Sequence, residues 1–147
     1  IKNIKSGISL DKLFLLYRCD SYNSIEAYFQ LAQLYLEKNM KEKFLEVSIM
    51  GMLTSITRIE QILKERELEY TYKNFNHFYY LAIQYSDIIS WGIKNKIWQG
   101  FFNFGQAMEL NNFDTLAKEI YTQNVIYSPE EYWQKTSREK LKRLAEE

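Results

Sequence analysis

Any nucleophilic or metal chemistry in this chain would have to use one histidine, His77, and one cysteine, Cys19. A Ser-His-Asp or Cys-His arrangement needs His77 as its base. Asn76 and Phe78 flank it in an aromatic stretch, where a histidine packs by its ring and makes one hydrogen bond to a neighbour. One histidine and one cysteine cannot build a tetrahedral zinc site without carboxylates. A di-metal centre in a helical bundle draws on Glu-x-x-His pairs, and Glu26, Glu37, Glu109 and Glu119 form none. The glycines are isolated at positions 7, 51, 92, 100 and 105, so no loop is built to cradle phosphate. The residues therefore lead us to expect no catalytic set, no metal, no cofactor and no enzyme activity.

Composition narrows the partners. At 147 residues the chain is one domain's worth. A chain of this size buries roughly 70% of the surface its unfolded state exposes. Nineteen basic and 19 acidic residues cancel, so no global field draws the chain to nucleic acid or an anionic membrane. The most basic stretch, with Lys135, Arg138, Lys140, Lys142 and Arg143, is interleaved with Glu139, Glu146 and Glu147 and reads as a solvated helix face. A lone cysteine excludes an internal disulfide and fits a reducing, cytoplasmic setting. No apolar run approaches the ~18 residues of a helical membrane span. The first residue is Ile and no signal-peptide pattern accompanies it, so a processed product or a piece of a longer chain is expected.

One proline and five glycines leave few turn formers, which points to helices joined by short loops. We read seven of them. Ser9 caps a helix at about 10–19, and Ser24 caps one at 25–38 that stops near Asn39. The longest covers 41–67. Its apolar residues Leu45, Ile49, Met52, Ile56, Ile59 and Leu63 are spaced 4-3-4-3-4, a heptad seam for a partner helix. That partner is helix two or four of the same chain, or the same seam of a second copy in a homo-oligomer. Gly51 in mid-helix implies close packing or a slight bend. Helix four spans 74–93, interrupted around Gly92 and Asn95, and helix five spans 96–110, ending at Asn111-Asn112. Helix six covers 113–125. Ser128-Pro129-Glu130-Glu131 then opens a last helix, 129–145, suited to be a terminal cap with one wet face.

Three of these helices share a stripe. Residues 28–35 read YFQLAQLY and 78–85 read FYYLAIQY, both aromatic-x-x-Leu-Ala-x-x-Tyr, and 101–108 (FFNFGQAM) repeats the pattern loosely. Such positions lie on one helix face, and the small residue admits a close neighbour. The stripe resembles the first helix of a tetratricopeptide repeat. The likeness extends into LEKNMKEKFLE after Tyr35 and ELNNFDTLAKEIY after Met108, with Pro129 where that family closes a repeat. It departs at Phe44, where a small residue is expected. It departs also in spacing, with starts 50 and 23 residues apart instead of the family's ~34. The expected fold is all-α, antiparallel helical hairpins in a tetratricopeptide-like array or an irregular bundle.

The resemblance implies a protein-interaction module whose non-stripe positions line a groove for a protein or peptide partner. Carried over residue by residue, those positions are Glu26, Phe29, Gln33 and Leu36, then Asn76, Tyr79 and Ile83, then Gln99, Phe102 and Gln106. Residues 70–104 hold 12 of the chain's 24 aromatics, which either fill a core or line an exposed groove.

Overall fold

The computed structural model describes residues 25–146, which form seven helices with no strand among the described residues. In chain order they are α1 (Ile25–Glu37), α2 (Lys41–Arg66), α3 (Phe75–Ala82), α4 (Ser86–Lys94), α5 (Ile97–Leu110), α6 (Asp114–Tyr127) and α7 (Glu131–Glu146). The helix expected at 10–19, with its Ser9 cap, lies outside the described residues.

Two asparagines end helices as their chemistry suggests. Asn39 (φ 58°) and Asn112 (φ 66°) adopt the left-handed conformation that asparagine tolerates better than most residues. The Asn111 amide donates to the Ala107 carbonyl (2.8 Å) and the Lys41 carbonyl (3.0 Å), tying the end of α5 to the start of α2.

All six seam residues of α2 are buried, and α2 lies between α1 on one side and α5 on the other. The seam is therefore filled from within the chain. Gly51 permits the approach of α1, because a side chain there would begin 3.1 Å from the Tyr28 Cβ.

The expected continuous helix at 74–93 is two helices. The chain turns at residues 83–85, where Gln84 and Tyr85 N–H groups bond three residues back to Leu81 and Ala82. Side chains at the end of α2 hold the break. The Tyr85 hydroxyl donates to Glu67 Oε1 (2.8 Å), and the Arg66 guanidinium lies 4.9 Å from the Tyr85 ring centre. Arg66 also grips Asp87 with both terminal nitrogens. These hydrogen bonds hold the Asp87 carboxyl below its usual value near 3.8. A carboxyl depressed in the folded state contributes stability above its unfolded value and loses it as pH falls through the folded one. An NMR titration of the Asp87 carboxyl should therefore give a midpoint below 3.8, and Arg66→Gln should return it to the ordinary range.

Ten of the 14 residues of α5 are buried, which makes it the central helix, in contact with α2, α4, α6 and α7. Around it sits an aromatic cluster. Tyr79 stacks on Trp98 (5.7 Å between centroids, 14° between planes), and Phe101 meets both edge-on. Eight of the twelve aromatics in 70–104 are buried, so this stretch is chiefly core. The stripes follow the same gradient. Phe101, Phe104, Gly105 and Met108 are all buried, whereas in α1, at the edge of the described helices, Ala32 is buried and Leu31 is exposed.

The last helix closes one side, with Trp133 against Phe102 (5.2 Å) and Leu144 buried. It begins at Glu131, two residues after Pro129, and the Gln134 side-chain amide donates to the Ser128 carbonyl (2.6 Å) across its start. Glu109 joins α5, α6 and α7 by accepting from the Tyr121 hydroxyl (2.8 Å) and pairing with Arg143.

Candidate functional site

Four residues of α1 fall on one helical face at i, i+3, i+4 and i+7: Glu26, Phe29, Gln30 and Gln33. On α5, Gln99 and Asn103 share a face at i and i+4, and Lys96 precedes the helix at its cap position. These faces line a cleft of about 490 Å³, joined in the lining by Lys94 at the end of α4 and Asn95 in the turn before α5. That volume is within the range of small-ligand and peptide pockets.

Phe29 forms the floor. Its half-buried ring is wedged between two glycines of facing helices. A Cβ at Gly51 would lie 3.3 Å from the ring, and one at Gly100 would overlap it. Two helices can approach the ring this closely only because neither carries a side chain there.

Above this floor the cleft is lined with amides in two states. Gln30 donates to Glu26 Oε1 (3.2 Å) and Gln33 to Glu37 Oε1 (3.4 Å), both weak exposed pairs along α1. Gln99 and Asn103 make no side-chain hydrogen bond within the described residues. For Asn103 this matters, because it is only 7% exposed. Its amide atoms still reach solvent, so the little exposure the residue keeps opens onto the cleft.

The turn before α5 is strained. Lys96 has φ 58° and ψ 33°, a left-handed conformation that costs a lysine on the order of 1 kcal/mol. It occupies the cap position of α5 without making a side-chain cap, so the first N–H groups of that helix lack a capping side chain. Lys94 and Lys96 have no ion pair within the described residues. Asn95 turns its amide N–H to the Trp91 carbonyl (2.9 Å). A smaller cavity of about 200 Å³ adjoins, sharing Glu26 and Asn95 and reaching Arg58 and Trp91.

Of the groove positions expected from sequence, Glu26, Phe29, Gln33 and Gln99 come together here. The others do not. Tyr79 is fully buried (0% exposed), stacked on Trp98, with its hydroxyl donating to Asn124 Oδ1 (3.1 Å). Burial pushes that hydroxyl far above the ordinary phenol range. Phe102 is 5% exposed, between Tyr121 and Trp133. Phe102 is a core residue because α6 and α7 cover its face of α5, and Tyr79 because α3 packs its ring against Trp98 of α5 and Tyr127 of α6. Asn76 is exposed but bonds to Gln123 and Tyr127 of α6, outside the cleft. Leu36 and Ile83 pack partly buried against the core, and Gln106 is half-buried; none of the three lines the cleft.

Sequence reasoning missed Gln30, Lys94, Asn95, Lys96 and Asn103. One signal for Asn103 was present, an amide among the aromatics of IWQGFFNFGQAMEL, four residues from Gln99 on a single face.

His77 takes no part. Its backbone N–H is capped by Asn74 Oδ1 (2.7 Å), its ring stacks on Tyr70 (6.4 Å), and its buried Nδ1 has no partner. Among the described residues no group of three or more His, Cys, Asp or Glu could hold a metal. No helix there is long and apolar enough to cross a membrane. Cys19 lies outside the described residues.

Fold and cleft together define an all-α protein of short helices gathered on one long and one central helix, with an amide-lined cleft between its first and fifth. The chain is similar to an uncharacterized protein of Treponema pallidum (strain Nichols), 24% identical over 121 residues. That alignment covers 82% of this chain and 32% of the relative, so the chain spans about a third of the length of the protein it matches. No family model matches the chain. No solved structure matches it.

Proposed function

We propose that this chain is a non-catalytic protein-interaction module that holds a peptide segment of a partner protein in the cleft between α1 and α5. The observation carrying this reading is Asn103, a nearly buried amide that faces the cleft and lacks a hydrogen-bond partner within the described residues. An amide side chain offers one donor and one acceptor group, which is what a peptide bond requires of its neighbour. Gln30, Gln33 and Gln99 add the same chemistry around it, and the Phe29 ring supplies an apolar floor. Such an arrangement suits an extended chain held by main-chain bonds and one apolar contact. Tetratricopeptide-like hairpin arrays bind partners between helices in a comparable way, and a cytoplasmic scaffold role accords with this reading. Nucleic acid is a poorer fit, since the chain has no net charge and Glu26 stands among the cleft residues.

Selection of peptides from a displayed random library tests the reading when the winners are measured against the protein and its Asn103→Leu variant. Leucine of similar size removes the amide while keeping the volume, so the variant should stay folded. It should also bind selected peptides about tenfold more weakly, the worth of one well-made buried hydrogen bond. Equal binding by the two proteins would place the peptide site elsewhere.

A further inference from the structure

We propose that the peptide taken by the cleft carries a side-chain carboxylate, seated at the turn that holds Lys94 and Lys96. This rests on the peptide reading above and adds the chemistry of its ligand. Three positive features converge at that turn. Lys94 and Lys96 are without ion-pair partners within the described residues, and α5 begins there with its N–H groups uncapped by any side chain. The one carboxylate in the lining, Glu26, accepts a hydrogen bond from Gln30 on its own helix (3.2 Å), and two lysines against one glutamate leave the lining with a net positive charge. The cleft thus favours an incoming anion over a cation.

A second, independent observation sets the register. Asn103 lines the same cleft seven residues on from Lys96, 7% exposed and with its side chain making no hydrogen bond within the described residues. Seven residues of helix advance about 10 Å. An extended peptide advances about 3.3 Å per residue, so its carboxylate belongs about three residues from the peptide group that Asn103 engages. The ligand is therefore an extended segment with an aspartate or glutamate at one fixed position. A lysine-rich segment would face two unpaired lysines and be rejected.

Library-selected peptides, arrayed through their C-termini so that no terminal carboxylate is free, provide the test. Each position is replaced in turn by Asp, Asn and Lys. At one position Asp should exceed Asn by about tenfold, the combined worth of two exposed ion pairs and a helix end. That advantage should shrink as salt is raised, and it should vanish in the Lys94→Gln/Lys96→Asn double variant. Asparagine suits the left-handed backbone at position 96, and thermal unfolding confirms that the variant is folded. Peptides bound through Asn103 with no acidic preference would overturn the carboxylate assignment and leave the peptide reading standing. An acidic preference that persists in the double variant would likewise overturn it. Failure of every peptide to bind would remove the peptide reading and this inference together.

Discussion

Trp98→Ala should destabilise the protein by about 3–5 kcal/mol, the usual cost of deleting a large buried aromatic. Trp98 is fully buried (0% exposed) at the junction of α3, α4 and α5. Its ring stacks on Tyr79, meets Phe101 edge-on (5.8 Å), and donates its indole N–H to the Ile89 carbonyl (3.3 Å). Gly92 lies against the same ring, where a Cβ would sit 2.5 Å from the indole, so α4 has no side chain at that point to fill the void. A domain of this size has about 5–15 kcal/mol in total, so the loss should bring the urea midpoint down steeply. Trp133, half-buried on α7, is the control and should cost less. A Trp98→Ala variant within 1 kcal/mol of the parent, on the order of a surface substitution, would contradict the stacked core.

Gly100→Ala should cost about 1–3 kcal/mol, as overpacking does, although alanine favours helix over glycine by up to ~1 kcal/mol. The sign is decided by space. The new methyl overlaps the Phe29 ring, which is already confined by Gly51 on its other side. The ring can escape only towards the cleft that it floors. Peptide binding should therefore weaken in step with stability. Phe29→Ala removes the obstacle, so the double variant should be more stable than the sum of the two single losses requires. Chemical denaturation of the four proteins gives that coupling directly. An additive result would mean that the ring is not wedged between the two glycines.

Much of this architecture is legible in the sequence because local chemistry decides it. Asn39 and Asn112 end helices in the left-handed conformation, and the 4-3-4-3-4 seam of α2 predicts a helix buried along its length. The turn between α3 and α4 is not legible from apolar spacing, which runs on without a break through Tyr85 and Ile88. It depends on Arg66 and Glu67, far away in sequence, reaching Asp87 and Tyr85. Ser86-Asp87 was the available clue, a small hydroxyl and an acid at the start of a helix.

The cleft is legible in part for a related reason. Phe29, Gln33 and Gln99 occupy polar or unstriped positions of helices that face each other, so their grouping survives the irregular spacing. Tyr79 and Phe102 were misplaced because a groove register presumes equal repeats. With starts 23 residues apart between the second and third stripes, α6 and α7 cover the Phe102 face of α5, and Tyr79 on α3 is buried against α5 and α6. The left-handed turn at Lys96 has no local signature either. It lies where α4 turns into α5, beside the close contact of Gly92 with Trp98.

An NMR titration of isotope-labelled protein with a library-selected peptide, following the side-chain amide signals, bears most directly on the cleft as a peptide site. The unpartnered Asn103 amide should show the largest shift, with Gln99, Gln33 and Gln30 moving beside it and the Asn76 amide on the far face unmoved. A peptide that binds while leaving Asn103 unchanged, or that shifts Asn76 and Gln123 instead, would contradict the cleft as the site of binding.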